Sequence, residues 1–248
     1  MLNYIHADLH RIFRRVSRFV LLILFYVGAL GFELNQAVTR GYNSVNFIAA
    51  GSALFEITAI VLGMMEIQNV FADDFHAKTM QIAIGLGVSR PKIVLTKLID
   101  FAVLAVLDTL VMTVLFTLGG TVCGIHLMGE QVYLMFVSAL GSAVFMTIVA
   151  AITMIPVFYT QSTALAILIY LVLSLDPVNM VVQIFSTKEI VMNLHLTALT
   201  FSSVNNTFFT QLSLRNALPI GQFIGILVYL AGAYGLTVLA FNKRELEF

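Results

Sequence analysis

The sequence predicts an all-α, polytopic membrane protein with six transmembrane helices, on three observations. Charge is too scarce to coat a water-soluble globule, six apolar runs approach or reach spanning length, and Lys and Arg fall mainly on one side of those runs. Of 248 residues, 60% are hydrophobic and 10% charged, where a soluble domain averages about 25% charged. Mean hydropathy is +0.97. Lipid is therefore the expected solvent, and residues 1–248 are read as one transmembrane domain. The formal net charge of zero offers no bulk attraction to nucleic acid.

The first element is an amphipathic stretch over 1–18. Leu2, Ile5, Leu9, Ile12, Phe13 and Val16 recur at three- and four-residue spacing, opposite a stripe containing Arg11, Arg14, Arg15 and Arg18. That pattern predicts a helix lying in the headgroup plane, with cations meeting anionic lipid. The first span follows at Phe19–Ala37 and is read as retained, because no small-x-small cleavage site comes after Leu34.

The remaining spans are predicted at Phe47–Phe71, Ile93–Leu118, Val132–Ile155, Thr160–Leu175 and Pro219–Phe241, judged against the ~20 residues that cross a ~30 Å hydrocarbon core. The fifth is short and follows a turn at Pro156. Between the second and third spans, Asp73 and Asp74 suit a helix start and Gly85 and Gly87 its end, with Ser89, Arg90 and Pro91 opening the next helix. The expectation is a short helix within 72–92 carrying an apolar face of Phe75, Met80, Ile82 and Ile84. The mixed segment 176–218 suits short re-entrant helices on the outer side, covered by protein.

Six spans place Arg11, Arg14, Arg15, Arg18, Lys78, Arg90, Lys92, Lys97, Lys243 and Arg244 on one side and Arg40, Lys188 and Arg215 on the other. Positive charge stays cytoplasmic, so both termini are expected inside. Gly28–Gly31 and Gly225–Gly235 are read as sites of close helix approach.

Chemistry-bearing motifs are sparse. The sequence holds no phosphate-cradling loop, no G-x-S-x-G turn and no histidine pair at metal-ligand spacing. Asn205-Asn206-Thr207 matches the N-glycosylation acceptor pattern, and the single cysteine, Cys123, excludes an internal disulfide. The chain is read as non-catalytic, with no cofactor or metal of its own. Five acids lie in or near spans: Glu33, Glu56, Glu66, Asp100 and Asp108. Each costs up to about 3 kcal/mol at mid-bilayer, so each should face protein, water or an interface. Glu56 and Asp108 are the deepest. Either they line a pathway for a cationic or amphipathic substrate or protons, or they bond neighbouring hydroxyls and fix packing. With no embedded Lys or Arg as partner, packing is the favoured expectation.

Phe71, Asp74, Lys78 and Thr79, then Gly87-Val-Ser-Arg90, then Ile93 and Lys97 resemble the loop of the membrane subunits of type-2 ABC exporters. The ending Phe241-Asn-Lys-Arg-Glu-Leu-Glu-Phe248 is similar to that family's basic stop followed by Glu-Leu. The compact subunits of bacterial lantibiotic-immunity, bacitracin-type and amphipathic-peptide exporters look nearest. Asp-Asp-Phe-His-Ala stands where many members carry Glu-Arg-Glu-x-Gly.

The resemblance implies a subunit in a bacterial plasma membrane, with ATP bound by a separate ABC ATPase and a second membrane subunit, identical or related. It implies a coupling helix over Asp73 to Leu86, with Asp73, Asp74, Phe75, Lys78 and Thr79 facing the ATPase and Ser89 and Arg90 anchoring the exit. The exported cargo would be an amphipathic or antimicrobial peptide or a lipid-like molecule. The competing expectation is a secondary transporter or channel using Glu56 and Asp108 as ion or proton sites.

Overall fold

The computed structural model describes residues 2–76, 79–186, 195–214 and 219–243. Lys78 and the 244–248 ending lie outside them, and the side chains of Asp73 and Thr79 are likewise outside the description. In chain order the helices are α1 Leu2–Phe13, α2 Val16–Arg40, α3 Ser44–His76, α4 Thr79–Gly85, α5 Arg90–Val122 and α6 Gly129–Thr160. They continue with α7 Thr163–Ser174, α8 Pro177–Ile184, α9 Leu196–Leu199, α10 Phe201–Ser213 and α11 Ile220–Asn242.

Six stretches among the described residues are long and apolar enough to cross a membrane: Val16–Arg40, Ser44–Ala72, Arg90–Val122, Gly129–Thr160, Thr163–Ile184 and Ile220–Asn242. The chain is a multi-pass, all-helical membrane protein.

α6 is the axis of the bundle, packing against α3, α5, α7, α10 and α11. Its sequence explains this. Ala139, Ala143, Ala150 and Ala151 are buried, and such small residues let helix backbones approach where lipid supplies no hydrophobic drive. Phe47 of α3 stacks on Phe116 of α5 with centroids 4.2 Å apart. Three threonines of α5 satisfy themselves within the helix: the Thr109, Thr113 and Thr117 hydroxyls donate to the carbonyls of Ala105, Thr109 and Thr113, each at 2.7 Å. A hydroxyl bonded to its own helix can enter a span at little cost.

Several boundaries differ from expectation. The second span helix does not stop at Phe71 but runs to His76, so Asp73, Asp74 and Phe75 end a long helix instead of starting a short one. The short helix is α4, and its predicted exit is present: Gly87 takes φ +90° and Ser89 precedes α5, with Pro91 in the first turn. Pro156 lies inside α6, and the turn comes five residues later at Gln161, in the left-handed conformation. Val157 and Phe158 are fully buried, so packing holds the helix together through the missing proline N–H. The fifth span breaks between α7 and α8 at Asp176, whose φ is 55° and which precedes Pro177. A proline disfavours helix at the preceding residue.

The close-approach glycines differ in part from those expected: Gly225 lies close against Val204 of α10, as expected, and a Cβ there would meet its Cγ1 at 3.0 Å. A side chain on Gly28, Gly31, Gly232 or Gly235 would meet open space. Gly63 instead lies under Tyr170, whose hydroxyl donates to the Ala59 carbonyl at 2.9 Å and joins α7 to α3.

Candidate functional site

Among the described residues, polar chemistry inside this bundle gathers in two ion clusters and around a cavity. The deeper cluster centres on Arg18, which is 1% exposed. Its Nε donates to Glu66 Oε1 at 3.2 Å, and its Nη2 donates to Asp108 Oδ1 and Oδ2 at 2.9 and 2.8 Å. The Tyr26 hydroxyl donates to the Asp108 carbonyl at 3.0 Å, and the guanidinium sits 5.0 Å from the Phe13 ring centroid. α2, α3 and α5 are thereby joined by one cation. Two carboxylates against one guanidinium leave a formal charge of −1 when all three are ionised, a cost that only a dense set of bonds offsets.

This corrects the sequence reading twice. Arg18 is not part of an exposed basic stripe, because the chain turns at Arg14 and Arg15 and α2 begins at Val16. Arg18, Leu22 and Tyr26 then share the buried face of α2. And Asp108 does have an embedded basic partner, so it is neither a lone acid nor a residue of the cavity described below.

The second cluster lies where α1, the end of α3 and the start of α5 meet. Lys97 Nζ contacts both the Asp8 and the Asp74 carboxylates and donates to the Val70 carbonyl at 3.3 Å. Arg11 bonds Asp8, Nη2 to Oδ1 at 2.5 Å, and lies 3.4 Å from Asp74. Asp100 packs beside Asp8. Burial opposes ionisation of Asp8, but the Lys97 ammonium and then Arg11 outweigh it and hold that carboxyl below the ordinary range. Burial likewise opposes the Arg11 charge, and Asp74 and Asp8 reverse it, raising its pKa. Asp74, expected at a helix start facing outward, is 5% exposed and belongs to this cluster.

The same end carries the remaining expected residues. Phe75 is half-buried and stacks on Phe71 at 5.5 Å. Arg90 donates through Nη1 to the carbonyls of Phe241 at 2.5 Å and Asn242 at 3.1 Å, and its guanidinium lies 5.2 Å from the Phe241 ring centroid. The start of α5 is thus fastened to the end of α11. On α4, Met80 and Ala83 pack inward while Ile82 is exposed, and Leu86 just beyond it is 81% exposed.

The cavity lies towards the other end, among α3, α6, the α7–α8 break and α10, and has a volume of about 670 Å³. Glu56 lines it, with Asp176, Ser202 and Asn205. Asn205 is fixed by donating to the Gly141 carbonyl at 3.1 Å, while its carbonyl oxygen, the Ser202 hydroxyl and Asp176 Oδ1 are buried without a hydrogen-bond partner. The two expected pathway acids are therefore in different places.

The sequence does not mark Asp8, Asp176 or Ser202 as candidates for a site; it marks Lys97 only as part of the loop resemblance and Asn205 only through the glycosylation pattern, and Asn205 is 3% exposed. Helix phase carries a signal for Lys97, which shares a stripe with Phe101, Leu104 and Asp108 on the buried face of α5. No group of three or more potential metal ligands occurs among the described residues. No family profile matches the chain, and no curated protein matches it.

Proposed function

We propose that this chain is the membrane subunit of an ATP-driven exporter, moved by a separate ABC ATPase that docks on α4. The observation that carries the reading is the α3–α4–α5 unit. Each long helix has 33 residues, about 50 Å at 1.5 Å per residue against a hydrocarbon core of ~30 Å. α4 joins them at one end and presents Ile82, with Leu86 exposed just beyond it. At that same end the pair is fastened to α1 through Asp8, Lys97 and Asp74, and to α11 through Arg90. Ion pairs and hydrogen bonds between helices resist sliding. A push on α4 would then reach the bundle as a rigid-body motion rather than be absorbed locally.

In this reading the α4 end is cytoplasmic, because the basic residues gather there. Both termini lie on that side, α1 is the interfacial elbow, and α8 to α10 form the re-entrant segment facing outward. A second membrane subunit completes the pathway, and the chain itself catalyses nothing.

The test is affinity purification from the native membrane in mild detergent, with ATP hydrolysis as the readout. The wild-type chain is expected to carry vanadate-sensitive ATPase activity, and an Ile82→Asp, Leu86→Asp variant of unchanged monodispersity to lose it. Wild-type preparations without ATPase activity, or a variant that keeps it, would overturn the reading.

The buried Arg18–Glu66–Asp108 cluster favours a second reading, a secondary transporter that moves protons through these acids. Uptake driven by a pH gradient in vesicles, abolished by Glu66→Gln and independent of ATP, would establish it over the first.

A further inference from the structure

The cavity among α3, α6, α7 and α10 is chemically one-sided. Its lining includes the two carboxyl-bearing residues Glu56 and Asp176, and no Lys or Arg lines it among the described residues. Three further features point to an occupant. The Asn205 carbonyl oxygen and the Ser202 hydroxyl belong to side chains 3% and 4% exposed, and neither has a partner. Buried polar groups are almost always bonded, so an orphaned set around one space marks a missing partner. Asp176 Oδ1 is orphaned in the same way.

The Asn205 amide nitrogen donates to the Gly141 carbonyl, which orients the side chain, and its carbonyl oxygen is left without a partner. The Ser142 and Ser174 hydroxyls are likewise committed, to the carbonyls of Phe55 at 2.9 Å and Leu171 at 2.9 Å. What the cavity lacks, among the described residues, is positive charge.

Its size and walls narrow the class further. About 670 Å³ is far more than a bare ion needs and falls in the ~300–1,000 Å³ range of organic-ligand pockets. Phe55, Phe145 and Phe209 with Val137 and Ile60 supply an apolar and aromatic wall. Aromatic faces also attract cations, more strongly where water is excluded.

We infer that this cavity binds an organic ammonium: a primary amine, protonated, carried on an apolar or aromatic body. The ammonium sits between Glu56 and Asp176 and donates to Asn205 Oδ1 and to a Ser202 hydroxyl acting as acceptor. The body lies against the three phenylalanines. The exporter reading is needed only to call this occupant the cargo; the site itself stands on the cavity.

The test uses dansylcadaverine, a fluorescent primary amine, titrated against the purified chain in nanodiscs of zwitterionic lipid without any ATPase. Neutral dansylamide and anionic dansylglycine serve as comparisons. Saturable binding of the amine at least 10-fold tighter than either is expected. Glu56→Gln is expected to weaken it at least 5-fold, and so is Asp176→Asn, which keeps a residue tolerant of the left-handed backbone. Neither is expected to alter the binding of dansylamide. Should Asp176→Asn fail to fold, Glu56→Gln alone decides, because its side chain lies at the open side of the cavity.

Equal binding of the three probes would mean a lipid-chain pocket and overturn the inference. So would amine binding indifferent to Glu56→Gln. Loss of the inference in this way leaves the ATPase co-purification result standing, and absence of an ATPase leaves the amine binding standing.

Discussion

The two ends of the bundle differ in the charge they bring to buried polar groups. Towards the α4 end, Arg18 and Lys97 each hold two carboxylates and tie three elements together, although the Thr96 hydroxyl and the Asp100 carboxyl beside them keep oxygens without a hydrogen bond. Around the cavity, Ser202, Asn205 and Asp176 keep polar atoms that meet nothing in the chain. Buried charges with a complete set of partners fix geometry, and removing one partner is destabilising. Buried polar groups without partners lower stability and gain only when something binds. The first arrangement suits transmission of force and the second suits recognition. In the proposed exporter reading, the first would lie where a motor pushes and the second where a cargo sits.

The sharpest way to break that contrast is Arg18→Met. It strands Glu66 and Asp108 together in the bundle, at a cost of about 3–5 kcal/mol. We expect a large fall in detergent melting temperature and in yield. The triple variant Arg18→Met, Glu66→Gln, Asp108→Asn should recover most of the loss, because no uncompensated charge remains. If the single variant melts like wild type, the cluster does not hold the bundle together.

Lys97→Met should cost less, about 2 kcal/mol, because Arg11 stays beside Asp8 and Asp74 at 32% exposure. This cluster also has a pH signature. The Asp8 carboxyl is held below its ordinary range, so it binds a proton less readily folded than unfolded. Its stabilising contribution is full above about pH 4 and fades as pH falls through the lowered value. The melting difference between wild type and Asp8→Asn should therefore be constant from pH 7 to about pH 4 and shrink below it. A difference that instead vanished above pH 6 would assign the docking of α1 to another group.

How much of this was legible in the sequence depends on the kind of interaction. Span number followed from apolar length, and the α4 exit from Gly87, Ser89 and Pro91, because those are local properties. Pro156 misled for the opposite reason: α6 is buried enough for packing to override a local breaker. The Arg18 partnership was hidden because it joins residues 48 and 90 positions apart. In a uniformly apolar helix, hydrophobic periodicity is too faint to show which side of Arg18 faces inward. Helix phase with Leu22 and Tyr26 was the available clue. The cavity had no such clue, since Glu56 and Asn205 come from two helices and Asp176 from the α7–α8 break, which meet only in the folded chain.

Tyr170→Phe tests ordinary packing between the two ends. It removes the bond to Ala59 but leaves the ring over Gly63, and the Ala59 carbonyl keeps its helical role. A loss of about 1 kcal/mol is expected, read as a small fall in melting temperature.

The smallest effect discriminates best between paired and unpaired polar groups. Ser142 and Ser202 both line the cavity and both are largely buried. Ser142 donates to the Phe55 carbonyl, whereas the Ser202 hydroxyl has no partner. The same substitution should therefore carry opposite signs. Ser142→Ala loses a made bond and should cost about 1 kcal/mol, while Ser202→Ala removes an unsatisfied group and should be neutral or raise stability by up to about 1 kcal/mol. Melting curves of the two variants without added amine check this directly. Saturating dansylcadaverine should then raise the wild-type melting temperature more than that of Ser202→Ala, because only the wild type completes that bond. If both variants lose stability equally, the Ser202 hydroxyl already has a partner inside the bundle, and the cavity is structural space rather than a waiting site.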